Sequence, residues 1–225
     1  MFTACSGKKA ASADVKESQK EEKLVCLSFD DGPNTTTTVA MLDMLQKHNV
    51  VGSFFVIGNN INEQSAEVMK RTVEMGCDIQ NHSFSHGDMT KLSEEELKEE
   101  IQKTTDLIVK YIGVEPNYFR PPYISHNQTM HETIDLTFIS GAGIEDWVPS
   151  IDAQERAKRI LDLAKDGLIY LLHDMPGNEA TVEALDIAIP QLKEQGYQFV
   201  TVPELFKAKN ITPEKGTIYT YLLKE

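Results

Sequence analysis

Leu24-Val25-Cys26-Leu27-Ser28-Phe29-Asp30-Asp31-Gly32-Pro33 is the stretch that decides how this 225-residue chain is read. Apolar residues suited to a buried strand run up to two adjacent carboxylates, and a Gly-Pro turn follows. Two aspartates side by side at a strand end repel each other unless a cation or an arginine is close. The pair therefore reads as the floor of a cation site. Matching ligands stand in Asn81-His82-Ser83-Phe84-Ser85-His86. His82 and His86 are four apart, so one turn or a tight loop can aim both imidazoles at one point. One carboxylate and two histidines, with positions left for water, form the ligand set of a catalytic zinc or similar divalent ion.

Downstream of the acidic turn, strand-like and helix-like segments alternate. Val39, Met41, Leu42, Met44 and Leu45 recur at helical spacing and predict a helix over 35–48, with Asn34 or Thr35 as N-cap. Strands are predicted over 50–57, 77–80, 117–119, 137–140, 167–172 and 197–200, and the loop 141–150 carries Asp146-Trp147. Ser93 with Glu96 has capping-box spacing at the head of a long helix. Further helices are predicted over 61–75, 128–134, 153–165, 179–195 and 203–208. The alternation implies parallel strands joined by βαβ units. Asp30-Asp31, His82/His86, Arg120, Asp146 and His173 each fall just after a strand. A single distorted (β/α) barrel of about seven parallel strands gathers such ends on one face, where active sites form.

A formal net charge of −13 argues against nucleic acid as a partner. No apolar run is long enough to span a bilayer. Cys26 and Cys77 sit in strand-like surroundings and read as small buried hydrophobes. Cys5 is different, because Phe2-Thr3-Ala4-Cys5-Ser6-Gly7 resembles the end of a bacterial lipoprotein signal. The basic start and apolar core of a signal are missing, so residues 1–22 read as a truncated signal end and a disordered tether. The expected organisation is then a catalytic domain over 23–208 and a C-terminal tail over 209–225, with a strand at 217–222. The expected location is exported, as a cell-surface lipoprotein or a secreted protein. The only membrane link would be a lipid on Cys5, and the chain is expected to be a monomer.

Taken together, the motifs resemble the polysaccharide deacetylases of the NodB-homology class, carbohydrate esterase family 4. Ser28 to Pro33 matches the family's TFDDGP motif, His82 to His86 its H[ST]xxH motif, and Arg120 to Tyr123 its RPPY motif. Leu171-Leu172-His173-Asp174 matches the strand ending in HD, and 51–56 resembles the ATFFV strand. The fourth motif, usually DxxDW, departs: Gly143-Ile144-Glu145-Asp146-Trp147 has glycine in place of the first aspartate. The resemblance covers residues 23–208.

The resemblance implies a metal-dependent hydrolase removing acetyl groups from a polysaccharide. Its leading substrate would be N-acetylglucosamine residues of peptidoglycan or a chitin-like oligosaccharide. An acetylxylan esterase working on O-acetyl groups is the alternative. By the same resemblance Asp31, His82 and His86 hold one divalent ion, Zn²⁺ or else Co²⁺ or another. Asp30 is the general base, oriented by Arg120, and a backbone N–H at Tyr123 meets the oxyanion. His173 is the general acid, supported by Asp146, while Tyr123, Trp147 and Leu171 line the substrate pocket. Asp174 is read as structural. Two more distant readings are an Fe(II) oxygenase with the same ligand set and a non-catalytic glycan-binding module.

Overall fold

β1 (Lys23–Asp30) is buried from Leu24 onward. The computed structural model describes Met1 and residues 22–223; Cys5 and the stretch expected to be a tether lie outside the described residues. Strand alternation sorts the β1 side chains onto two faces. Val25, Leu27 and Phe29 pack in one core layer with Met41, Leu42 and Leu45 of α1 (Thr37–His48) and Leu185, Ala188 and Ile189 of α6 (Glu179–Glu194). Leu24 and Cys26 belong to a second layer with Phe55, Ile139 and Ile169, closed by Val202, Leu205 and Phe206 of α7 (Val202–Lys209). Ser28 and Asp30 are the next residues on that second, inner face.

The remaining strands are β2 (Gly52–Val56), β3 (Asp78–Asn81), β4 (Tyr118–Phe119), β5 (Thr137–Ile139), β6 (Ala142–Gly143), β7 (Leu168–His173), β8 (Tyr197–Phe199) and β9 (Ile218–Tyr219). They form one sheet in the order β6-β7-β1-β2-β3-β4-β5-β9, with β8 paired to the start of β1. All these pairings are parallel. Its two ends are brought together by the chain after β9. Ile169 N donates to Thr220 O at 3.1 Å, and Leu222 N donates to Gly167 O at 2.7 Å. Gly167 has a φ of 80°, and a Cβ there would run into the Leu222 main chain, so only glycine fits. The result is the expected distorted barrel.

The sheet holds nine strands among the described residues rather than about seven. β6 is only two residues long, too short to show a period-two pattern, and lies in what the sequence marked as loop, while β9 falls within the strand expected at 217–222 of the tail and is shorter than expected. α1 begins at Thr37 instead of Thr35, because Asn34 Oδ1 accepts from the N–H groups of Thr36 and Thr38, both at 3.1 Å, and holds 34–36 in a turn. The capping box forms as expected: Ser93 and Glu96 satisfy each other's backbone N–H at the head of α3 (Glu94–Ile112). The other helices are α2 (Glu63–Glu74), α4 (Gln128–Thr133) and α5 (Ala153–Leu163). Cys26 and Cys77 are buried and free, with thiol pKa values pushed up by burial. Among the described residues no helix is long and apolar enough to cross a membrane.

Leu222 is 1% exposed where the C-terminal segment meets the inner core layer. Truncating it, Leu222→Ala, is expected to cost about 2–4 kcal/mol. That corresponds to a fall of roughly 5–15 °C in thermal midpoint for a domain of this size. A change under about 2 °C in a melting curve would show that this segment does not help hold the barrel closed.

Candidate active site

Asp30, on the inner face at the end of β1, points at Arg120, which follows β4. Arg120 is fully buried and donates from Nη1 to Asp30 Oδ1 at 2.6 Å, from Nη2 to Ser28 Oγ at 2.7 Å and from Nε to Ile139 O at 3.4 Å. Its guanidinium lies 4.3 Å from the centre of the Phe55 ring. This fixes Asp30 through one oxygen. The other, Oδ2, stands 3.8 Å from His82 Nε2.

Asp31 escapes the alternation. Its φ of 75° turns the backbone into the left-handed region, and its side chain swings toward the histidines. Asp31 Oδ1 lies 3.5 Å from His82 Nε2 and 3.3 Å from His86 Nε2. The same oxygen is buried and has no hydrogen-bond partner among the described residues. His82 Nδ1 is 2.7 Å from Arg120 O, so that nitrogen carries the hydrogen and Nε2 keeps its lone pair. Desolvation would raise the Asp31 pKa, but the close approach of His82, with His173 and His86 beyond it, brings it below the usual carboxylate range. Burial, then the neighbouring His82, lowers the His86 pKa and favours the neutral ring.

These three side chains fit a divalent cation. All three ligand atoms lie within 4.8 Å of one another. Tetrahedral ligands about 2.0–2.1 Å from a zinc ion stand about 3.3 Å apart, close to the spacings measured here. An orphaned carboxylate oxygen facing two imidazole lone pairs is otherwise a costly arrangement to bury.

The opposite wall comes from β7 and the loop after β6. His173 Nδ1 donates to Asp146 Oδ1 at 2.8 Å, and the His173 backbone N–H donates to Asp146 Oδ2 at 2.8 Å. Burial alone would lower the His173 pKa, yet the Asp146 carboxylate, with Asp30 and Asp31 behind it, outweighs burial and pushes it up to about 9. A cavity of about 460 Å³ is lined by Asp30, Asp31, His82, His86, His173 and the apolar Leu171, with Trp147 and Tyr123 at its rim. The Trp147 ring packs edge-on against His173, and the Tyr123 ring edge-on against His86. Both aromatics remain largely exposed. As second residue of a single 3₁₀ turn (Pro122–Ile124), Tyr123 has an N–H with no acceptor inside that turn.

The barrel thus gathers all ten residues singled out from the sequence around one cavity. Asp174 sits behind it, fully buried against Gly32, with Thr38 Oγ1 donating to its Oδ2 at 2.5 Å. Its pKa is pushed up to about 7, chiefly by burial. Gly143 lies beside Trp147 and Leu171, where an added Cβ would find ordinary contacts at 3.4–3.8 Å. Sequence reasoning missed Pro121 and Ile124 in the lining, and it missed Arg156, Asn178 and Thr181 behind Asp146.

Comparison with known proteins agrees with this geometry. A family model described as polysaccharide deacetylase matches residues 17–138. The chain is 48% identical over 194 residues to a bifunctional xylanase/deacetylase of Pseudobutyrivibrio xylanivorans, covering 86% of this chain and 32% of that protein. It is 38% identical over 191 residues to a peptidoglycan-N-acetylglucosamine deacetylase of Listeria monocytogenes, covering 84% of this chain and 40% of that protein. The chain therefore spans only a third to two fifths of the length of these two curated relatives. The crystal structure of a family 4 acetyl xylan esterase from Clostridium thermocellum, in complex with a cobalt ion, superposes with a TM-score of 0.87 at 40% identity. That match covers 89% of this chain and 99% of the other.

Because burial opposes the charged imidazole, the raised pKa of His173 hangs on Asp146. Replacing it, Asp146→Asn, is expected to bring the His173 titration from about 9 down to below 6.5, followed by NMR of labelled histidine. A His173 still titrating above 8 in that variant would show that another group supports it.

Proposed function

The chain belongs to the polysaccharide deacetylase family, and from that premise we propose that it is a metal-dependent hydrolase removing acetyl groups from a polysaccharide. One observation carries the reading. Two proton-handling groups, Asp30 held by the Arg120 guanidinium and His173 held by the Asp146 carboxylate, face each other across a three-ligand cation site in one cavity.

A divalent ion held by Asp31, His82 and His86, zinc in first place and cobalt next, would supply Lewis-acid polarisation of the acyl carbonyl and of an attacking water. Asp30 takes the water's proton as oxygen adds to the carbonyl carbon. Arg120 holds Oδ1 of that base, which leaves Oδ2 for the proton. The Tyr123 N–H meets the developing oxyanion. His173, protonated at neutral pH, gives its proton to the leaving atom as the acyl bond breaks. Acetate and the free amine or alcohol depart, and exchange with solvent takes the proton from Asp30 and returns one to His173. Leu171 and Trp147 exclude water around the acetyl methyl.

An amide nitrogen leaves only when protonated, so a histidine with so high a pKa favours N-acetylglucosamine residues as substrate. A second reading, O-deacetylation of xylan, is favoured by the names of two of the similar proteins, a xylanase/deacetylase and an acetyl xylan esterase. Such polymers lie outside the cell membrane, so export belongs to the same proposal, with a lipid on Cys5 as its anchor. Mass spectrometry of the native protein tests that anchor, and an unmodified Cys5 with further residues upstream would remove it.

Chelation should abolish acetate release, and added Zn²⁺ or Co²⁺ should restore it. The variant Asp30→Asn should bind metal and lose at least about 100-fold in kcat. Near-wild-type turnover in that variant would overturn the base assignment. Acetate release from chitooligosaccharide, peptidoglycan and acetylated xylan, measured side by side, decides between the two substrates. The rate should also fall as pH rises through about 9, where His173 loses its proton.

A further inference from the structure

We infer that Arg156 is a positioning residue for the proton-donating half of the site, acting on His173 through Asn178, Thr181 and Asp146. The inference rests on the reading of His173 as the proton donor and goes deeper than it.

Arg156 lies on α5 and is 2% exposed. Its guanidinium donates from Nη1 to Asn178 Oδ1 at 2.6 Å and to Thr181 Oγ1 at 2.9 Å. It also donates from Nε to Ile151 O at 2.8 Å and from Nη2 to Val148 O at 3.1 Å. None of these partners is a carboxylate. A buried cation with only neutral partners is expensive unless a negative charge stands close behind them. That charge is Asp146. Thr181 Oγ1 donates to Asp146 Oδ2 at 3.1 Å, and Asn178 Nδ2 donates to the same oxygen at 3.3 Å.

The chemistry of the two ends dictates the direction of every bond between them. A guanidinium only donates, and a carboxylate only accepts. Thr181 must therefore accept from Arg156 and donate to Asp146. Asn178 must turn its oxygen to Arg156, which sends its amide nitrogen to Asp146 and to His173 O, the latter at 2.9 Å. Asp146 Oδ2 then receives three donors: Thr181, Asn178 and the His173 backbone N–H. With Oδ2 saturated, the carboxylate cannot swing, and Oδ1 stays aimed at His173 Nδ1. The His173 ring is thereby held with its other nitrogen toward the cavity. The carbonyl contacts at Val148 and Ile151 make the same side chain a brace for the loop that follows Trp147.

A brace that only supported the loop would affect every substrate alike. A positioning role for the proton donor predicts dependence on the leaving group. The test uses zinc-loaded Arg156→Lys and Thr181→Val, the second keeping side-chain shape while removing the bridging hydroxyl. Each is assayed on 4-nitrophenyl acetate, whose leaving group departs without a proton. Each is also assayed on the better of chitooligosaccharide and acetylated xylooligosaccharide, whose leaving groups need one. On the sugar substrate, kcat should fall about 10-fold to 100-fold with KM within about 2-fold. On the nitrophenyl ester the loss should stay under about 3-fold. The His173 Nδ1 proton resonance should shift or vanish in both variants. His173→Asn is the control, and it should show the same split between substrates. If it loses both activities equally, the proton-donor reading itself fails. If it shows the split while Thr181→Val lowers both substrates equally or neither, Arg156 only braces the loop and the inference is overturned. Thr181→Val decides the matter should Arg156→Lys not fold.

Discussion

Arg120 and Asp30 form an ion pair with almost no contact with water, and the geometry of the site follows from it. Burying two opposite charges costs several kcal/mol each, and their attraction offsets this only with good geometry and every remaining hydrogen-bonding group satisfied. Here Ser28, the Ile139 carbonyl and the face of Phe55 complete the guanidinium's surroundings. Losing one partner would leave the other charged and stranded, typically a loss of about 3–5 kcal/mol. The pair ties the end of the central strand to a two-residue strand whose own ladder is too short to fix its position. The Arg120 carbonyl also orients His82, so a single residue fixes both Asp30 and His82.

Two neighbouring aspartates would otherwise be equivalent. They differ because Asp30 keeps the strand's alternation and Asp31 breaks it with a positive φ. Such backbone costs of order 1–3 kcal/mol for a non-glycine residue and persists only where the surroundings impose it. Among the described residues eight non-glycine residues have positive φ, and two of them, Asn49 and Asn210, are ordinary helix caps. The other six are Asp31, Ser83, His86, Tyr123, Ile124 and Glu145, all in or beside the cavity loops. Strain is concentrated where ligand atoms must converge, over a sheet that is regular below.

Much of this was legible in the sequence. The β1 run, the alternation of strand and helix and the Ser93 capping box are local patterns, and the ten site residues fall at strand ends that a barrel must gather. Sequence reasoning could not see β6, because two residues have no period, or the shift in the start of α1, because Asn34 accepts from Thr36 and Thr38 and holds a turn ahead of the helix. It could not find Arg156, Asn178 or Thr181 either. They lie on a helix and at the next helix's start, in positions that read as ordinary surface or capping residues. Only the packing of α5 against α6 buries them together behind Asp146. The left-handed residues were equally hidden, since aspartate, serine, histidine and tyrosine carry no marker of positive φ comparable to glycine.

The two halves of the site use arginine differently, and the difference suits the opposite tasks proposed for them. Asp30 meets its guanidinium directly, which fixes one oxygen and spends part of the carboxylate's charge on a permanent partner. A direct pair of that kind at Asp146 would compete with His173 for the same negative charge and weaken the support that keeps the imidazole protonated. Placing Asn178 and Thr181 between Arg156 and Asp146 preserves orientation while holding the cation one residue back. The carboxylate's field is then directed mainly at His173, whose pKa stands near 9 in spite of burial. The arginine arrangements behind the proposed base and the proposed acid thus differ by a single layer of neutral hydrogen-bonding groups.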